Sequence, residues 1–210
     1  MSPVPAIPAN LGPVLDWLNL GGTAVFALSG AMLAAEKKQT FVTLVFFAVV
    51  TGVGGGTVRD LLIGAPVFWI HHNATLLICL AASVIVWLLS QNLWPTKALL
   101  WFDAAGLAAF SAYGAAKGLA FGLAPIPAIG MGVLTGCLGG IIRDVLAGEP
   151  TVLMRPELYA TVAALSASLF VALHYLGVPG GAAGVAAFLA GFVLRGAAIW
   201  RGWSLPAYSG

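Results

Sequence analysis

Two Arg-Asp dipeptides, Arg59-Asp60 and Arg143-Asp144, stand in stretches otherwise apolar enough to lie in lipid. A bare charge at membrane depth costs about 3 kcal/mol or more, so each must face water, protein or a partner. Each follows a glycine cluster: Thr51-Gly52-Val53-Gly54-Gly55-Gly56 before the first, Thr135-Gly136-Cys137-Leu138-Gly139-Gly140 before the second. Glycine weakens a helix by about 1 kcal/mol relative to alanine. Four glycines within the five residues 52–56 are therefore expected to kink a helix or open its hydrogen-bond ladder. Opened backbone is excluded from lipid but acceptable along a water-filled cavity. There, glycine carbonyls and the Thr51 and Thr135 hydroxyls can replace part of a cation's hydration shell. The simpler reading is that the glycines let another helix cross closely. Two copies of the motif favour a pathway.

The second copy is a duplication. Residues 51–66 align with 135–150 at an offset of 84, with nine of sixteen positions identical. The same offset carries Gly22, Phe26 and Gly30 onto Gly106, Phe110 and Gly114. The stretches that must position these residues are membrane spans. The chain has 210 residues, 60% hydrophobic and 8% charged, with mean hydropathy +1.01, whereas a soluble domain is about a quarter charged. At roughly 20 apolar residues per crossing, seven spans are expected at 14–34, 41–63, 74–92, 98–117, 126–147, 157–176 and 181–200. Prolines fall between these spans or in first turns, where a missing N–H costs least, and six of the seven tryptophans lie near span ends.

The period of the repeat covers three spans, and an odd number forces the second copy to lie upside down. The expected fold is thus an all-α integral membrane protein with an inverted 3+3 repeat plus one extra helix, a plan in which pathways run at the repeat interface. Residues 14–92 form the first repeat, 98–176 the second and 181–200 the added helix, between tails 1–13 and 201–210. The first tail, with four prolines and no Lys or Arg, lacks the charged start of a cleaved leader and is expected to be extended. Lys37, Lys38, Lys97, Arg155 and Arg201 collect on one side, which places the N-terminus outside and the C-terminus inside.

Sequence neighbours on a helix do not face each other, so Arg59 and Arg143 are expected to find partners beyond Asp60 and Asp144. Asp16, at the start of span 1, falls near Arg59 and Asp60; Asp103, at the start of span 4, falls near Arg143 and Asp144. Two polar clusters are expected, one at each mouth of a pathway, with structural ion pairs that lock helix ends as the rival reading. Lys117 and Arg195 are expected to snorkel to the headgroups. Small residues in spans 1, 4 and 7 are assigned to helix packing. His71-His72 has no third ligand at metal spacing, and Cys79 and Cys137 read as packing residues. No fixed metal site, cofactor or enzymatic constellation is expected. A net charge of +2, with scattered basic residues, gives no footprint for nucleic acid.

The motif Gly-Val-Gly-Gly-Gly-Thr-Val-Arg-Asp at 52–60 is followed by Pro66-Val67-Phe68-Trp69. Together with Gly-Gly-Ile-Ile-Arg-Asp-Val-Leu-Ala-Gly-Glu-Pro at 139–150 and Arg155-Pro156-Glu157-Leu158-Tyr159-Ala160, it resembles the prokaryotic trimeric intracellular cation (TRIC) channel family. The resemblance spans the chain beyond its N-terminal tail. It implies a multi-pass protein of a bacterial-type inner membrane, in contact with membrane lipids. It also implies a homotrimer with a pore in each protomer, passing monovalent cations, chiefly K+ with Na+ possible. The family's glycine-kinked helices correspond to spans 2 and 5, with kinks at Gly54–Gly56 and Gly139-Gly140. Leu138 replaces Gly54 in the second copy, so the two halves of the pore are expected to be unequal. The alternative function is a secondary transporter of glycine or another small zwitterion, a label that bacterial members have carried.

Overall fold

The computed structural model describes residues 11–70, 72–89, 94–95 and 97–206. Residues 1–10 of the expected N-terminal tail, His71, and the last four residues of the C-terminal tail lie outside them. Among the described residues there are seven α-helices: α1 (Pro13–Glu36), α2 (Phe41–Leu62), α3 (Asn73–Leu88), α4 (Ala98–Ala120), α5 (Pro125–Leu146), α6 (Ala160–Tyr175) and α7 (Gly180–Arg201). Proline opens α1 and α5, where its missing N–H has no helical partner to lose. Thr40 caps α2 by accepting a hydrogen bond from the Thr43 N–H. Five helices are long and apolar enough to cross a membrane, whereas α3 and α6 have 16 residues each. Both are shorter than the spans expected at 74–92 and 157–176: α6 begins three residues late, and α3 ends at Leu88, ahead of residues 90–92, which lie outside the described residues.

The topology is that of the inverted repeat. Helix α1 packs on α2 and α3, and α4 packs on α5 and α6. The halves meet through α1 against α4 and α2 against α5, while α7 lies on α4 and α6. Contacts recur across the 84-residue offset in reciprocal form. A methyl group on Gly22 would press the Phe110 ring at 3.0 Å, and one on Gly106 would press the Phe26 ring. The two rings pack on each other with centroids 5.3 Å apart. Likewise a Cβ on Gly55 would strike the Thr135 carbonyl oxygen, and one on Gly139 would come within 2.5 Å of the Thr51 carbonyl oxygen. These pairs are images of one another across a pseudo-twofold axis through the α1/α4 and α2/α5 contacts.

Helices α2 and α5 run unbroken through their glycines. The expectation of an opened hydrogen-bond ladder is therefore corrected. The helix stays hydrogen-bonded because the absent side chains are used by a neighbour: backbone of the opposite half fills the space that a Cβ would take. In lipid, where apolar surface gives helices no reason to associate, such close approach is what holds them together.

At the ends of α2 and α5 the chain turns in matching fashion. Gly64 and Gly148 adopt φ +69° and +68°, a left-handed conformation that glycine takes at no steric cost. Ala65 N–H then bonds Asp60 O at 2.8 Å, and Glu149 N–H bonds Asp144 O at 2.9 Å. Beyond the second turn the copies diverge, because the exposed Glu149 carboxylate accepts a bond from Lys37 Nζ in the α1–α2 loop. That bond and the Lys37 charge hold the Glu149 carboxyl below its usual 4.5. A lowered carboxyl pKa contributes stability above the unfolded value that is lost as pH falls through the folded one. Melting curves from pH 7 to pH 3 should therefore show a small drop below about pH 4.5 that is reduced in Glu149→Gln; identical curves for the two proteins would remove the bond as a contributor.

Candidate functional site

Each Arg-Asp pair sits in the last turn of its helix, and each guanidinium is almost fully buried, Arg59 at 0% and Arg143 at 1% exposure. Both arginines pair with the aspartate that follows them in sequence. Arg59 Nε donates to Asp60 Oδ1 at 2.8 Å, and Arg143 Nε donates to Asp144 Oδ1 at 2.9 Å. This corrects the expectation that neighbours on a helix would not neutralise one another. That rule holds for short side chains standing out from the helix; a buried arginine arm folds sideways across the surface and reaches the next carboxylate. The other aspartate oxygen is held by the returning chain: Phe68 N–H donates to Asp60 Oδ2 and Val152 N–H to Asp144 Oδ2, each at 3.0 Å. Positions 68 and 152 are again 84 apart.

Around this shared frame the two clusters differ. Arg143 Nη1 donates to Asp103 Oδ1 at 2.7 Å, as the sequence suggested, and to Ser29 Oγ at 3.0 Å. Ser29 comes from the other half of the molecule. At the opposite end, the offset puts Asn19 where Asp103 stands and Tyr113 where Ser29 stands. Arg59 lies over the Tyr113 ring at 5.1 Å and the Phe68 ring at 5.8 Å. Among the described residues, its Nη1 and the Asn19 Oδ1 are buried without a hydrogen-bond partner. Asp60 gains a second cation, since Lys117 Nζ lies 2.8 Å from its Oδ1. Lys117 is thus not a snorkelling residue, because a buried carboxylate one helix away outbids the headgroup region. Asp16 makes no ion pair or side-chain hydrogen bond among the described residues. The equivalence of Asp103 with Asn19, legible in the offset, would have pointed away from it.

Arg195 is also corrected. It is 1% exposed, donates to Glu157 Oε2 at 2.6 Å and Leu158 O at 3.3 Å, and lies 5.4 Å from the Tyr159 ring centroid. It ties α7 to the segment before α6, where Leu205 N–H also bonds Pro156 O at 2.8 Å.

Between the clusters lies the α2/α5 contact. Gly55 and Gly139 face the opposite threonine carbonyls, as described above. Gly52 and Gly136 are turned instead towards their own halves, against the carbonyls of Thr23 and Leu107. Gly56 and Gly140 face the Phe68 ring and the Tyr159 hydroxyl, and Gly54 meets only the tip of Ile142. The Thr51 and Thr135 hydroxyls are fully buried and turned towards Gly30 on α1 and Gly114 on α4; Thr135 Oγ1 donates to Met131 O at 2.6 Å. It is the threonine carbonyls that reach the interface between halves. Among the described residues no group of three His, Cys, Asp or Glu side chains is placed to hold a metal ion.

The sequence matches the family model described as "Glycine transporter" over residues 16–91 and 100–175. The chain is similar to the TRIC trimeric intracellular cation channel orthologue from Rhodobacter sphaeroides, at 40% identity and TM-score 0.85, covering 91% of this chain and 100% of that one. It is similar also to a prokaryotic TRIC channel crystallised in 0.5 M KCl, at 30% identity and TM-score 0.81, covering 91% and 98%. The inner membrane protein YadS of Escherichia coli (strain K12) is 36% identical over 199 residues, 92% of this chain and 95% of that protein.

Proposed function

This chain belongs to the prokaryotic TRIC channel family, whose sequence model is also described as a glycine transporter, and from that membership we propose that it is a homotrimeric channel passing monovalent cations, chiefly potassium, through each protomer. The observation that carries this reading is the reciprocal seating of Thr51 O on Gly139 and Thr135 O on Gly55. Two inverted helices there bring backbone carbonyls together at the repeat interface. Each carbonyl keeps a lone pair beyond its helical bond, so a parting of α2 from α5 along this line offers oxygen ligands to a dehydrating cation. Selectivity then comes from geometry and backbone dipoles, as the central stretches of α2 and α5 carry no acidic side chain.

In the contact described, there is no room for a methyl group between the backbones, so conduction requires the helices to separate. The ends Arg59-Asp60 and Arg143-Asp144 flank this line as its mouths. Lys37, Lys38, Lys97, Arg155 and Arg201 belong to the end that holds the Arg143 cluster. That end faces the cytoplasm on the positive-inside argument, with both chain directions as the sequence suggests, in an inner membrane like that of YadS.

Secondary transport of glycine or another small zwitterion is the second reading, favoured by the family model's description and by the suitability of inverted repeats for alternating access. Recordings from purified protein in planar bilayers separate the two. Unitary K+ currents are expected. Saturable uptake with counterflow and no unitary steps would replace the channel by the transporter.

A further inference from the structure

We infer that the two ends of the pathway carry unequal buried charge, the Arg143 end being the more negative by two through Asp103, Asn19 and Lys117, and that open-channel cation current therefore flows more readily from the Arg143 end to the Arg59 end than back. The inference rests on the conducting reading above. At the Arg143 end one buried cation stands against two buried carboxylates, Asp103 and Asp144. At the Arg59 end two cations, Arg59 and Lys117, stand against the single carboxylate of Asp60. The backbone frame of the two clusters is the same, so the difference comes from exchanges at equivalent positions: Asp103 for Asn19, and Lys117 for Leu33.

Burial makes these charges effective at a distance. In low dielectric they are screened weakly, and their fields reach the pathway without direct contact with solvent. The more negative mouth enriches the entering cation relative to the other. Asp16 and Glu36 lie near the Arg59 and Arg143 ends respectively, and with one carboxylate added to each end the difference of two charges stands. Lys37 is neutralised by Glu149. Lys38, Lys97, Arg155 and Arg201 are exposed at the Arg143 end, where salt at 0.15 M screens beyond about 8 Å; the test is set at that salt for this reason.

The measurement is the amplitude of the open level at +100 and −100 mV, about 150 mM KCl on both sides, in patches from spheroplasts where all copies insert one way. Protease sensitivity of a C-terminal tag reports which side holds the Arg143 end. The wild type is expected to pass about two- to fivefold more current in the favoured direction. Lys117→Gln should bring the ratio part of the way towards one, and the exchange Asn19→Asp with Asp103→Asn, which leaves the two ends equal in charge, should bring it to one. Should the exchange variant fail to assemble, Lys117→Gln alone decides. Linear currents in the wild type, or a ratio untouched by Lys117→Gln, would overturn the inference while leaving the channel intact. Absence of any unitary current would remove the channel reading and the inference with it.

Discussion

Gly55→Ala and Gly139→Ala are each expected to destabilise the protein by about 1–3 kcal/mol, the range for forcing extra atoms into a filled interior. The obstacle in each case is a backbone carbonyl of the opposite half, Thr135 O or Thr51 O. A carbonyl inside a helix cannot turn aside as a side chain can, so the added methyl must push α2 and α5 apart along their length. Gly54→Ala is the control, because its methyl would meet only Ile142 Cδ1 at 3.0 Å, the free end of a flexible side chain, and the equivalent position already holds Leu138. Melting of the detergent-solubilised protein, followed by loss of its size-exclusion peak, should rank the first two well below the third. The double variant should cost less than the sum, since one methyl already opens the contact that the second would meet. Unitary current should change in the Gly55 and Gly139 variants. Lowered stability with wild-type current would assign the contact to packing alone.

Arg143→Met should be the most destabilising single change in either polar cluster, at about 3–5 kcal/mol. It leaves Asp103 and Asp144, both buried, without a cation. Arg59→Met should cost clearly less, because Lys117 remains on Asp60 and because Arg59 Nη1, buried without an acceptor, forfeits no hydrogen bond. The comparison isolates the surroundings, since the two arginines occupy the same place in the same motif. Adding Asp103→Asn to Arg143→Met should recover part of the loss by removing one unpaired carboxylate. Equal melting temperatures for the two arginine variants would refute the unequal pairing drawn from the structure.

The repeat made the architecture legible because the fold is built of matched contacts, and matched contacts leave matched residues. Gly22 and Gly106, Phe26 and Phe110, Gly55 and Gly139 are visible as pairs in the sequence and meet across one axis in the structure. What escaped the sequence was direction. Nothing in the glycine run tells which face each glycine presents, so Gly52 and Gly55 read alike although one lies against its own half and the other against the opposite half. The same holds for the threonines, whose hydroxyls point into their own halves while their carbonyls reach across. Long cations were the other blind point. Lys117 and Arg195 stand near helix ends and look free to reach the headgroups, yet Asp60 and Glu157 hold them. Applying the 84-residue offset to single polar residues would have exposed the exchange of Asp103 for Asn19 from the sequence alone.

The Phe26–Phe110 ring pair has a meaning for how a duplicated gene can drift. Residues on the axis touch their own images, so after duplication a change in one copy immediately presents its sister with an unfamiliar neighbour, and the two must alter together or stay as they were. The Arg-Asp clusters lie off the axis, each within its own surroundings. There the copies were at liberty to part company, and the second took both an aspartate, Asp103, and a lysine, Lys117, where the first holds Asn19 and Leu33.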